Sequence, residues 1–292
     1  AKANGAAAVL SAGDLGSDPG IAHVTATEPR QAFAHAASKF YPRRPGTIVA
    51  VTGTNGKSST VDFLRQIWTH AGKRAASLGT LGAIGPTGVI DLGHTTPDPA
   101  SVHATLTTLA EQGVTHAAME ASSHGLEQHR VDGVRFAAGA FTNLTQDHLD
   151  YHADMGAYRQ AKLKLWTLVR DGGSAIINAD AADADPFERG AKQRGLDVVL
   201  CGWRAPREHA LKIVEILPRP NAQTMVLLWN GKEHKVELPL IGEFQALNAV
   251  CAATLALAAG EAPDSVFEAM AKLKPVKGRM EHVGQSKSGG HV

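Results

Sequence analysis

The chain has 292 residues, 43% of them hydrophobic, with 29 Lys+Arg against 28 Asp+Glu for a formal charge of +1. At roughly 100–200 residues per domain, that length predicts two domains or one large α/β domain with appendages. So even a charge excludes a broad electrostatic grip on nucleic acid or on an anionic membrane surface, while leaving room for a local cationic pocket. The two cysteines, Cys201 and Cys251, match neither a disulfide scaffold nor a zinc pattern and point to a reducing cytoplasm. No uninterrupted apolar run reaches the ~18 residues of a membrane span.

Along the chain, short apolar runs alternate with longer amphipathic stretches, the pattern of a βαβ sheet. A helix is predicted over Glu28–Phe40, followed by a Tyr-Pro-Arg-Arg-Pro linker. Thr47–Thr52 (TIVAVT) reads as a buried strand, then a glycine turn and a helix over Lys57–His70. Arg74–Thr80 is a second strand, Asp98–Gln112 a helix, Thr115–Glu120 (THAAME) a third strand and Val134–Phe141 a fourth. Met155, Tyr158, Ala161, Leu165 and Leu168 carry helical spacing through Ala153–Arg170, and Gly173–Asn178 is a further strand. After Arg204 the texture turns β-rich, with strands over Lys212–Leu217, Met225–Trp229 and Lys235–Leu238 and a hairpin turn at Asn230-Gly231. Helices over Phe244–Ala259 and Pro263–Leu273 end the pattern, and the final residues GQSKSGGHV read as linker. The expected fold is α/β: a mostly parallel sheet with a phosphate loop, flanked by helices, plus a small β-rich subregion.

Gly53-Thr54-Asn55-Gly56-Lys57-Ser58-Ser59 follows a predicted strand and opens a helix. Glycines let backbone N–H groups close around phosphate oxygens, the helix start adds partial positive charge, and Lys57 adds a full one. Ser58 stands where a hydroxyl meets Mg²⁺. Only Thr54 and Asn55 separate Gly53 from Gly56-Lys57, where the usual phosphate loop has four residues. A plain glycine turn is the alternative, and the Gly-Lys-Ser-Ser end at a helix start favours the phosphate role.

In an open parallel sheet, ligands gather beyond the carboxyl ends of strands. Glu120 ends such a strand and is either a solvated terminus or a metal ligand; beside a phosphate loop the metal role is favoured. Ser122, His124, Gln128, His129 and Arg130 crowd the next stretch, which is either a solvated loop or a site for an anionic substrate, since a guanidinium suits carboxylate or phosphate. In TNLTQDHLDYH, Asp147 or His148 could meet a second Mg²⁺, although magnesium prefers oxygen donors. Spacing alone leaves Lys162 and Lys164 as solvent-facing helical lysines.

Five motifs, Thr52–Ser59 (TGTNGKSS), Met119–Arg130 (MEASSHGLEQHR), Thr142–His152 (TNLTQDHLDYH), Tyr158–Lys162 (YRQAK) and Gly278–Glu281 (GRME), occur in this order. Together they resemble the Mur ligases, and most closely the MurE type, the UDP-N-acetylmuramoyl-tripeptide synthetases. The resemblance implies a cytoplasmic, ATP- and Mg²⁺-dependent amide ligase of peptidoglycan precursor synthesis. ATP would phosphorylate the glutamate carboxylate of UDP-N-acetylmuramoyl-L-alanyl-D-glutamate, and the amine of a free amino acid (meso-diaminopimelate or L-lysine) would attack the acyl phosphate. It further implies that Gly53, Thr54, Asn55, Gly56, Lys57, Ser58 and Ser59 hold the ATP phosphates, with Asn248 near the adenine and Arg279 reaching the nucleotide. Glu120 would bind a first Mg²⁺ with Ser58, and His148 a second. Lys162 falls where the family carries a carbamylated lysine, an anion that would supply a hard oxygen ligand; Lys57, His148 and Lys162 are thus the catalytic set. Thr95, Thr96, Ser122, Gln128 and Arg130 match positions that hold the muramoyl dipeptide.

The sequence departs from the family pattern at His94 and Gln245, where asparagine is frequent. Residues 1–44 are expected to be the remnant of an N-terminal domain with its linker, 45–282 the central ATP-binding domain, and 283–292 a linker toward a third domain. The absent initial methionine and the absent Asp-Asn-Pro-Arg motif fit a trimmed chain. It is expected to be a monomer that binds neither nucleic acid nor membrane. Two alternatives stand beside this reading: a folylpolyglutamate synthase-like ligase, or a module that binds nucleotide without turning it over.

Overall fold

The computed structural model describes residues 2–147 and 151–279. Two short strands, β1 (Ala8–Ser11) and β2 (Ala22–Thr25), pair in parallel apart from the main sheet, and helix α1 (Pro29–Phe40) follows. Next come β3 (Thr47–Thr52), α2 (Lys57–His70), β4 (Ala75–Gly79), β5 (Gly82–Gly85) and β6 (Gly88–Ile90). The chain continues through α3 (Pro99–Glu111), β7 (His116–Glu120), α4 (Ser123–Glu127) and β8 (Phe136–Phe141). Then α5 (Met155–Leu163), α6 (Leu165–Leu168), β9 (Val169–Asn178), α7 (Ala184–Gln193) and β10 (Asp197–Gly202) follow. β11 (Ala210–Pro218), β12 (Gln223–Trp229), β13 (Lys232–Leu238), α8 (Glu243–Ala258) and α9 (Pro263–Met270) complete the described chain.

One 11-stranded sheet runs β13-β12-β11-β10-β9-β8-β3-β7-β4-β5-β6. The stretch from β11 to β4 is parallel throughout, and an antiparallel meander extends each edge. The β-rich texture after Arg204 is therefore an extension of the same sheet. β3 sits in the interior, between β7 and β8, and its side chains divide by the period of a strand. Val49 and Val51 enter one core with Val61, Leu64, Ile67 and Trp68 of α2 and the apolar α8. Ile48 and Ala50 enter the other, with Leu106 of α3, Tyr158 of α5 and Phe187 of α7. Burial on both faces explains why these strands read as continuous apolar runs.

The helix expected over Ala153–Arg170 is interrupted: Lys164 ends α5 and precedes α6, and β9 begins at Val169. Val169 pairs with Phe136 of β8, the register shifts before Ala138, and Gly172 at φ 70° helps carry the irregular stretch. Sheet pairing overrides the helical spacing that Leu165 and Leu168 continue. The segment before residue 45 is tied to the rest of the chain. Ala34 and Ala37 of α1 are buried, Gln31 Nε2 donates to Asp132 Oδ2 at 3.0 Å, and Arg44 Nη1 donates to the Gly133 carbonyl at 2.7 Å. Among the described residues no helix is long and apolar enough to cross a membrane.

Candidate active site

The loop between β3 and α2 depends on its glycines. Gly53 has φ 147° and Gly56 φ 87°, in the region that favours glycine. A Cβ at Gly53 would overlap Thr142 Oγ1, and one at Gly56 would overlap Asn248 Oδ1. Gly56 is the N-cap of α2 and offers no side-chain oxygen to the helix start. The first N–H groups of α2, over Lys57, Ser58 and Ser59, are thus left for an incoming anion. Residues after β8 hold the loop from the other side. Thr54 N–H donates to Asn143 O and Asn55 N–H to Asn143 Oδ1, both at 2.9 Å, while Thr142 Oγ1 donates to Asn55 O at 2.6 Å.

Two lysines converge on this loop. Lys57 Nζ donates to the carbonyls of Gly53 and Thr54, both at 2.9 Å, and Lys162 Nζ donates to the same Gly53 carbonyl at 2.9 Å. Burial lowers the pKa of Lys57; Glu120 and Asp147 oppose the shift and Arg279 adds to it. Lys162 is 1% exposed and lies 4.3 Å from the centre of the Tyr158 ring. Its pKa falls to about 6, chiefly through burial and then through the positive charge of Lys57, against an opposing pull from Asp147. The side chain read from spacing as solvent-facing is an interior amine.

Glu120, at the end of β7, is 2% exposed and makes no ion pair among the described residues. Its Oε1 accepts the Thr80 N–H at 2.8 Å and its Oε2 the Thr80 hydroxyl at 3.4 Å. Gly79 makes room for it, because a Cβ there would overlap the carboxylate. Gly79→Ala is therefore expected to displace Glu120, the residue expected to bind Mg²⁺, and to weaken nucleotide binding in the presence of Mg²⁺ by about tenfold, the scale of a disturbed metal-site support. Comparing nucleotide titrations with and without Mg²⁺ checks this, and an unchanged Mg²⁺ dependence would contradict it.

Thr54, Asn55, Gly56, Lys57, Ser58 and Ser59 line a cleft whose opposite wall is Thr80, Thr95, Glu120, Ser122 and Arg279. A second cleft, bounded by Asn178, Asp180, Phe244, Leu247, Asn248 and Cys251, opens on the other side of Asn55. There Asn248 Nδ2 donates to Gln245 Oε1 at 3.2 Å, and Gln245 Nε2 donates to the Arg279 carbonyl at 3.0 Å. The glutamine that departs from the family pattern thus links the two residues expected on the nucleotide side. Phe244 is 84% exposed, a flat apolar face available at the mouth of this cleft.

Gln128 and Arg130 line a third cleft, with Arg30, Phe33, His94 and Asp98. Arg130 is braced from within: Nη1 donates to the Thr96 carbonyl at 2.7 Å, while Nε and Nη2 donate to Gln128 Oε1 at 3.1 and 2.8 Å. Thr96, expected to touch the dipeptide, is 1% exposed; its hydroxyl donates to Glu120 O at 3.1 Å and accepts the Ser122 N–H at 3.2 Å. The side chain is a spacer inside the wall, used up by backbone groups. Ser122 Oγ caps α4 by accepting the Gly125 N–H at 3.0 Å.

His148 lies outside the described residues, as do Met280 and Glu281 of the last motif. Sequence reasoning missed Thr80, whose support of Glu120 bridges 40 positions and leaves no local signal. It missed Arg30 and Phe33 because their stretch was read as a remnant and linker.

The sequence profile of the family described as Mur ligase middle domain matches residues 51–256. A UDP-N-acetylmuramoyl-L-alanyl-D-glutamate--2,6-diaminopimelate ligase of Agrobacterium fabrum is 45% identical over 291 residues, covering 99% of this chain and 58% of its own. The Bradyrhizobium diazoefficiens protein of the same name is 42% identical over 283 residues, covering 96% and 58%. A solved structure of that ligase type superposes with a TM-score of 0.86 at 29% identity, covering 98% of this chain and 58% of the other. A Mycobacterium tuberculosis folylpolyglutamate synthase complexed with ADP reaches 0.68 at 16% identity over 84% of this chain and 62% of its own, a likeness of fold. The chain thus spans somewhat more than half the length of the relatives it matches. By the match of that profile and by these relatives, the chain belongs to the Mur ligase family.

Proposed function

We propose that the chain is the ATP-binding core of a MurE-type ligase, which activates the glutamate carboxylate of UDP-N-acetylmuramoyl-L-alanyl-D-glutamate for attack by the amine of diaminopimelate or lysine. Residues 45–282 would form the nucleotide-binding domain, flanked by joining segments over 1–44 and 283–292. The observation that carries this reading is that one short stretch serves two clefts. Glu120 and Ser122 face the phosphate loop, and Gln128 and Arg130 line the neighbouring cleft. A carboxylate acceptor seated along that wall would meet the terminal phosphate of ATP bound at the loop, the proximity on which transfer depends.

The donors suit magnesium. Glu120 is a buried carboxylate without an ion-pair partner among the described residues, and Ser58 supplies a hydroxyl on the opposite wall. No cluster of three or more His, Cys, Asp or Glu forms there among the described residues, so phosphate oxygens would complete the oxygen shell that Mg²⁺ prefers. Bound there, the metal would offset the negative charge that gathers as phosphate and carboxylate approach. Lys162, as a carbamate, would add a further oxygen donor, and His148 is the proposed ligand of a second ion. Lys57 and the α2 N-terminus would hold the phosphates, Arg279 and Asn248 the rest of the nucleotide, and Thr95, Ser122, Gln128 and Arg130 the acceptor. The γ-phosphoryl group passes to the glutamate oxygen with ADP as leaving group. The incoming amine then expels phosphate to give the amide. The setting would be the cytoplasm, where ATP is available.

Hydroxylamine trapping tests the first half-reaction. Hydroxamate should form only when Mg·ATP and the muramoyl dipeptide are both present. ATP hydrolysis indifferent to the dipeptide, without hydroxamate, would overturn the reading.

A further inference from the structure

The cleft that holds Gln128 and Arg130 has an opposite wall made by α1, from the segment before the nucleotide-binding region. Its polar groups differ in how far they are already engaged. Arg130 commits three of its five guanidinium N–H donors, one from each nitrogen, to Thr96 and Gln128. Gln128 also donates to the Tyr151 hydroxyl at 2.9 Å. Asp98 caps α3, accepting from Ala100 N, Ser101 N and Ser101 Oγ at 3.0, 3.1 and 2.6 Å. Arg30, across the cleft, makes no hydrogen bond or ion pair with any described residue. It presents a whole guanidinium fork, the geometry that matches carboxylate and phosphate.

That fork is held at a set position. The neighbouring Gln31 donates to Asp132 Oδ2 at 3.0 Å, and the same oxygen lies 2.9 Å from His129 Nδ1. His129, with φ 57°, stands between Gln128 and Arg130 in the chain. Arg44 ties the far end of α1 to the same loop by donating to the Gly133 and Ser38 carbonyls at 2.7 and 3.1 Å. Phe33, one turn along from Arg30, is 43% exposed and adds an apolar flank to the cleft.

We infer that Arg30 is an acceptor-binding residue: its guanidinium takes up an oxyanion of the acceptor, phosphate or carboxylate, while Arg130 braces the opposite wall. This rests on the reading of the cleft as the acceptor's. It assigns to α1, outside the nucleotide-binding region, a direct part in recognition.

Calorimetry on the whole chain tests it, with the phosphate loop saturated by a non-hydrolysable ATP analogue. The probes are the muramoyl dipeptide nucleotide and inorganic pyrophosphate. Arg30→Ala is expected to weaken both by about tenfold or more, the value of one charge-assisted contact. Affinity for the ATP analogue should stay within about twofold and thermal stability should not move, since the side chain makes no bond to any described residue. Arg30→Lys should recover part of the loss, because an ammonium keeps the charge without the fork. A loss for dipeptide alone assigns the fork to a carboxylate or another part of the acceptor; a loss for both assigns it to phosphate. Wild-type binding of pyrophosphate but not dipeptide, with the Arg30 dependence intact, removes the acceptor reading and leaves the anion site. Unchanged affinities in Arg30→Ala, an equal loss for the ATP analogue, or no binding of either probe by the wild type would overturn the inference.

Discussion

Exchange of Lys57 for methionine is expected to lower the affinity of the chain for Mg·ATP by about a hundredfold, close to 3 kcal/mol. The side chain starts at the first residue of α2 and turns back over the loop to the Gly53 and Thr54 carbonyls. Its ammonium therefore rests on two carbonyls of the loop that would receive phosphate, and Arg279 lines the same cleft. Methionine keeps the apolar stem and removes the charge, so the loss reports electrostatics and hydrogen bonding rather than packing. Arg279→Met should cost less, about tenfold, because it removes one charged contact and leaves the loop intact. Equilibrium titration with ATP and ADP measures both, and a loss of less than threefold for Lys57→Met would contradict the phosphate role.

The second large effect is expected at Lys162. An amine with a pKa of about 6 is mostly unprotonated at neutral pH and has the lone pair needed to attack CO₂. The nitrogen–carbon bond forms, the amine loses a proton, and a carbamate anion results. With ¹³C-labelled bicarbonate, a carbamate resonance should appear at neutral and alkaline pH and fall away as pH drops through about 6, where the amine becomes protonated. Lys162→Arg should lack the resonance at every pH. Hydroxamate formation by that variant should fall by about a hundredfold or more, the scale seen on removing one group that stabilises charge in a transition state. A resonance that persists in Lys162→Arg, or its absence from the wild type at pH above neutrality, would remove the carbamate.

The same shift makes a statement about stability. In CO₂-free buffer the unfolded chain holds a proton on Lys162 up to the ordinary lysine value of 10.5, while the folded chain releases it near 6. The unfolded state then binds more protons between those values, so this residue's contribution makes stability rise with pH across that window. Lys162→Met should flatten the rise, which thermal unfolding over a pH series reads directly.

Most of the parallel centre of the sheet was legible because strands buried on both faces write themselves as apolar runs, as TIVAVT and THAAME do. β10, exposed at Asp197 and only partly buried along its first half, was not read. β5 and β6 were not, since GAIG and GVI at an edge carry neither alternation nor a long apolar run. Helix α7 was hidden by Pro186 and Gly190, though Ala184, Phe187 and Ala191 supply its buried face. The phosphate loop was legible as a local pattern in which glycine, lysine and helix start are neighbours. Lys162 was not legible from spacing, because helical period cannot tell a lysine facing water from one inserted under a loop 109 residues away in sequence. The motif resemblance singled it out, and the structure shows its amine buried beneath that loop. Arg30 had no such pattern to announce it: an exposed arginine on a short helix looks the same whether it faces bulk water or a cleft.

The clasp between the phosphate loop and residues 142–145 bears on the thermodynamics of ligand entry. Thr54 Oγ1 donates to Thr145 O at 3.1 Å and accepts the Thr145 N–H at 3.0 Å, so the two crossing segments are joined in both directions. Residues drawn as a turn share donors and acceptors as neighbouring strands do. Their conformational entropy is surrendered when the chain folds, and little of it remains to be lost when phosphate arrives. A nucleotide would meet a mould already set, with its glycine torsions and amide directions fixed, and more of each contact it makes would appear as affinity.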